Sequence, residues 1–133
     1  MPVAFDPNWL AVLAAAVSAF ALGGIWYGPL FKHAWCREAG IDLHAQPGHP
    51  GRVFGSAFVM ALVAAFAFAW WLGPAPALDA ALCKGLAAGA GIAATSFGIN
   101  YAFAGRSLKL WLIDGGYHTL QFLLYGLVLG LWH

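Results

Sequence analysis

Asp114 and His118 stand four residues apart in the segment IDGGYHTLQFLLY, residues 113–125, and Gln121 and Tyr125 continue the spacing by steps of three and four. A helix turns about 100° per residue, so these steps hold all four side chains within a stripe of about 60°. An acid beside an imidazole can exchange protons near neutral pH, or offer both a donor and an acceptor to a ligand or ion. The flanking residues are Leu, Ile, Val, Gly and Trp. Such a stripe must face protein or water, because a charged group near the centre of a bilayer costs at least about 2.5 to 3.5 kcal/mol. The stripe admits two roles: a proton-titrating or ligand-binding pair, or a hydrogen-bond network that fixes the register of neighbouring helices.

The chain around it cannot build a water-facing surface. Of 133 residues, 62% are hydrophobic and 8% charged, with a mean hydropathy of +0.77, against about 45 to 50% apolar and about 25% charged in soluble domains. A lipid bilayer is therefore the expected partner. A net charge of +1 supplies no basic patch for nucleic acid. Met1 to Leu10 has no Lys or Arg and the apolar run after it is of spanning length, so the first segment is expected to stay rather than be cleaved as a signal peptide.

The expected fold is all-α: an integral membrane bundle of four transmembrane helices in one domain, residues 1–133, with a short interfacial helix between spans 1 and 2. The spans fall at about residues 8–28, 53–73, 78–103 and 108–132, each near the length needed to cross about 30 Å of hydrocarbon. Asp6 and Pro7 suit the N-cap and first turn of span 1, and Pro29 closes it. Trp70 and Trp71 suit an interface, Asp79 suits the first turn of span 3, and Ser107 suits the N-cap of span 4. PLFKHAWCREAG, residues 29–40, has one apolar side and should lie along the interface.

Lys32, Arg37 and Arg52 fall in the 1–2 connection, and Arg106 and Lys109 near the 3–4 connection. The positive-inside rule makes both connections cytoplasmic and both termini outward in a multi-pass membrane protein. Cys36 and Cys83 then lie at opposite faces and should be free thiols. Lys84 should snorkel to the outer headgroups. Gly24 with Gly28, Gly85 with Gly89, and Gly126 with Gly130 have the small-xxx-small spacing that packs helices in a bundle or a homo-oligomer.

Other helices bring polar groups to the depth of Asp114. Asn100 and Tyr101 lie near the inner end of span 3, and Trp26 and Tyr27 near the inner end of span 1, with Arg106 and Lys109 as counter-charges below. GIWYGPLFK, residues 24–32, and GINYAFAGR, residues 98–106, echo each other at an offset of 74. A duplicated hairpin would produce that echo, and so would chance in a biased composition. His33, Cys36, His44 and His49 include metal-ligand types, but their spacing matches no zinc pattern, and no metal is expected.

The segments NWLAV, GGIWYGPLFKHAW and INYAFAGRSLKLWLIDGGYHTLQFLLYGLVLGLW resemble the small bacterial membrane proteins grouped as domain of unknown function 1761. The likeness covers nearly the whole chain, and its motif falls on Trp26, Tyr27, Gly28, Pro29, Trp35, Asn100, Arg106, Ser107, Gly116, Tyr117 and His118. Lys32 departs from it, standing where many relatives have glycine. The resemblance implies a four-helix membrane protein without an assigned activity, and it directs attention to Asn100, Tyr117 and His118.

Two functions compete. One is a non-enzymatic membrane component that binds a small ligand or ion, or relays protons, at a cluster of Asn100, Asp114, Tyr117, His118 and Gln121. The other is an accessory subunit of a larger membrane complex in which the same cluster holds helices together. Catalysis is disfavoured, since no nucleophile-and-base motif, phosphate loop or zinc signature is present, and no cofactor is expected.

Overall fold

A computed structural model describes residues 6–42 and 50–133. Its secondary structure is helical throughout the described residues: α1 (Trp9–Ile25), α2 (Lys32–Ala39), α3 (Pro50–Leu72), α4 (Leu78–Ala88), α5 (Thr95–Ala104) and α6 (Leu108–Leu131). A wide π-type turn, Trp26–Leu30, follows α1, and a second, Gly89–Ala94, joins α4 to α5. Three continuous helical stretches are long and apolar enough to cross a membrane: Trp9–Leu30, Pro50–Leu72 and Leu78–Ala104. α6 is 24 residues long, but its polar row dilutes the apolar character.

Local chemistry sets the element ends. The cap of α1 is Asn8, whose Oδ1 accepts from the Ala11 amide at 3.2 Å. Asp6, expected to cap, instead accepts from the Trp9 indole at 3.0 Å; both residues are cap types, and only Asn8 has its side chain over the first turn. Pro29 has no amide proton to give to the preceding turn. The chain widens there, the Phe31 amide reaching back to the Trp26 carbonyl at 3.0 Å, so α2 begins at Lys32 rather than at Pro29. Gly40 and Gly105 end α2 and α5 at φ 71° and 69°, a conformation open to residues without Cβ. Ser107 caps α6 as expected, accepting from the Leu110 amide at 3.1 Å.

α6 lies at the centre and packs against all the other helices. Against α4 the approach is backbone to backbone. A methyl group on Gly126 would run into the Ala81 carbonyl oxygen, and one on Gly89 would fall 2.6 Å from Thr119 Cα. On the other side, a row of alanines on α1, Ala11, Ala15 and Ala19, is fully buried among α3 and α6. Small faces let these helices come close enough for dispersion contacts to accumulate. Long apolar side chains such as Leu10, Met60, Ile99 and Phe103 point outward and are exposed. Lys84 holds its ammonium 5.5 Å from the Trp71 ring, and Cys36 and Cys83 are both free thiols.

Candidate functional site

Asp114 is the most heavily bonded polar side chain of α6. It is 7% exposed, and its carboxylate accepts from three aromatic donors on three other segments. Oδ1 takes the Tyr27 hydroxyl at 2.5 Å and the Trp35 indole N–H at 3.0 Å, and Oδ2 takes the Tyr101 hydroxyl. Next to it, the Trp26 indole donates to the Ile113 carbonyl at 2.8 Å, and the Tyr117 hydroxyl to the Ala19 carbonyl at 3.0 Å. The turn after α1, helix α2 and helix α5 are thereby tied to one carboxylate. Two further bonds hold α2 against the start of α6: Ser107 donates to Glu38 at 2.6 Å and Arg106 to the Ala39 carbonyl at 3.1 Å. The Ser107 hydroxyl beside Glu38 holds its carboxyl below the usual range, with Lys109 and Arg37 adding to the effect.

One turn further along, a second network runs from His118. Its Nδ1 lies 2.6 Å from Gln121 Oε1, Gln121 Nε2 lies 2.7 Å from the Tyr125 hydroxyl, and that hydroxyl lies 3.0 Å from the Ala61 carbonyl. The direction of this chain is fixed at its far end. A carbonyl can only accept, so Tyr125 donates to Ala61, Gln121 donates to Tyr125, and the amide oxygen of Gln121 faces the imidazole. Nδ1 therefore carries the proton. Phe97 stacks on the imidazole at 4.8 Å and Tyr117 meets it edge-on at 5.0 Å, which holds the ring in place and leaves Nε2 without a protein partner among the described residues.

His118 and Gln121 line a hollow of about 750 Å³. α1 and α6 supply one side of it, and α3 and α5 contribute Phe54, Met60 and Phe97. Gly24 and Gly28 lie along it, with nothing within 4 Å of where a Cβ would stand. This pair was expected to pack the bundle or a homo-oligomer; within the chain no helix packs on it, and it leaves space. Lys32 sits on the lining at the α2 end.

A family model described as a protein of unknown function, DUF1761, matches residues 10–130. The chain belongs to the DUF1761 family. No curated protein and no solved structure matches it. The DUF1761 match takes in both networks and every residue that lines the hollow.

The DUF1761 fold brings together most of the residues expected at the site, in a different arrangement. Tyr27 and Tyr101 bond to Asp114 and Trp26 to the neighbouring Ile113 carbonyl, while Tyr117, His118 and Gln121 stand at the hollow. Asp114 and His118 do not hydrogen-bond each other; each is taken up by other partners. Asn100 is exposed on α5 and bonds to none of the cluster, because it lies about 100° around the helix from Tyr101. Arg106 and Lys109, expected as counter-charges to Asp114, turn to the α2 side, toward Ala39 and Glu38. Trp35 lies in the segment expected along the interface, and its indole N–H proves to be a donor to Asp114. Tyr27 and Tyr101, related by the offset of 74, hold the two oxygens of one carboxylate. Of the loop residues with metal-ligand types, His44 and His49 lie outside the described residues.

Proposed function

We propose that this DUF1761 protein is a four-span membrane bundle, with α6 as its fourth span and both loops next to α2 and Arg106 in the cytoplasm of a bacterium, that binds a small apolar molecule beside His118 without transforming it. The observation that carries this reading is an imidazole held by Gln121, Phe97 and Tyr117, with no partner at Nε2 among the described residues, on the lining of a hollow of about 750 Å³. Ligand pockets typically measure about 300 to 1,000 Å³, mostly apolar with a few placed polar groups. The Asp114 network supports the competing role of interhelical fastening, so the two roles divide along α6 rather than exclude each other. The test is saturable binding of a neutral, environment-sensitive naphthalene dye to the protein in nanodiscs. Gly24→Leu fills the hollow and should abolish that binding with the fold intact; unchanged binding in this variant would remove the reading.

A further inference from the structure

We infer that the hollow selects an uncharged amphiphile whose polar end is a hydrogen-bond donor, a long-chain alcohol or a phenol, seated with its hydroxyl on His118 Nε2. This rests on the binding reading above and adds the chemistry of the ligand. Apart from Lys32 at the α2 end, the other polar side chains on the lining are committed: Tyr27 to Asp114, Tyr117 to the Ala19 carbonyl, and both ends of the Gln121 amide to His118 and Tyr125. What remains beside the stacked Phe97 ring is one imidazole nitrogen. Because the chain that ends on the Ala61 carbonyl keeps the proton on Nδ1, Nε2 of the neutral ring offers a lone pair. Its complement is a single donor. An ether or ketone oxygen would set lone pair against lone pair, and so would a carboxylate. The remainder of the lining, with Phe20, Phe54, Met60 and Phe122, fits a hydrocarbon or aromatic body. An anionic head would be drawn instead to Lys32, the cation on the lining among the described residues.

The experiment displaces the bound naphthalene dye from the full chain in nanodiscs with dodecanol, dodecyl methyl ether and dodecanoate, each dosed as a mole fraction of lipid. Dodecanol should displace the dye at roughly tenfold lower dose than the ether, the worth of about one net hydrogen bond. His118→Phe should erase that difference between alcohol and ether, each dose being scaled to the variant's own dye affinity. His118→Asn, which keeps a donor toward Gln121 and removes Nε2, should do the same and serves if the phenylalanine variant fails to fold. Equal displacement by alcohol and ether in the unmodified protein overturns the ligand class and leaves the binding reading standing, since both molecules still displace the dye. If dodecanoate is the strongest competitor and Lys32→Ala, rather than His118→Phe, weakens it, the inference is overturned in favour of an anionic head at the α2 end. Dye binding that never saturates removes the binding reading itself.

Discussion

The glycine pairs of α4 and α6 and the glycine pair at the end of α1 share one spacing and serve opposite purposes. Gly85, Gly89 and Gly126 bring two backbones together until even a methyl group has no room, and Gly130 continues that seam against Leu78 and Ala81, whereas Gly24 and Gly28 have nothing of the chain opposite them. A missing side chain is therefore a contact in one place and a vacancy in the other, and what decides is the element opposite. The two polar networks of α6 differ in the same sense. Around Asp114 the donors close over both oxygens; around His118 one nitrogen is left over.

Substitutions at the two kinds of glycine should give the widest separation. Gly126→Leu must push α4 off α6, and its expected result is loss of the monodisperse folded species in size-exclusion chromatography. Gly24→Leu should elute and melt like the unmodified protein. If both variants fold equally well, the seam is not the backbone contact described here. Next in size is Asp114→Ala, which strands two phenols and an indole; at about 1 to 3 kcal/mol for each buried unsatisfied group, a loss of about 3 kcal/mol is expected in denaturant unfolding. His118→Phe should stay within about 1 kcal/mol, because it strands only the Gln121 oxygen. A His118 variant as damaging as the Asp114 variant would erase the distinction between the closed network and the open one.

Trp35→Phe is expected to cost about 1 kcal/mol, the net worth of one hydrogen bond, and to raise amide exchange in α2 while leaving α4 and α6 unchanged. The smallest effect concerns Glu38. Its folded pKa lies below the ordinary value of 4.5, so its contribution to holding α2 is complete above that value and is lost as pH falls through the lower folded one. Exchange rates in α2, corrected for the intrinsic pH dependence, should therefore be flat from pH 7 to 5 and rise in more acidic buffer. Glu38→Gln should flatten the acidic rise.

Much of this architecture is written in local chemistry. The Ser107 cap, Asp79 at the start of α4, and the left-handed glycines that end α2 and α5 depend on neighbours within a turn, and the polar stripe of α6 does face inward, with Asp114, Gln121 and Tyr125 all buried. Depth along the helices placed both Asn100 and Tyr101 near Asp114, and the angular rule could have separated them, since adjacent helical residues diverge by about 100°. Pairing is harder to read. Asp114 and His118 share a face, yet which partner each one takes depends on helices that are distant in sequence, and the Trp35 contact exists only because α2 folds back against α6. The hollow has no sequence signal, because empty space is a property of how four helices meet.

The network from His118 ends on a carbonyl that already has work to do. The Ala61 oxygen accepts the Tyr125 hydroxyl and, as part of α3, is also the acceptor for the backbone N–H of Ala65, one turn on. Hydrogen bonds in series polarise one another, so a hydroxyl arriving at Nε2 alters the electron density on that shared oxygen. The amide resonance of Ala65, on a helix whose side chains on the lining are all apolar, then becomes a built-in reporter: its chemical shift would move with occupancy at His118 and stay still for a molecule lodged elsewhere in the hollow.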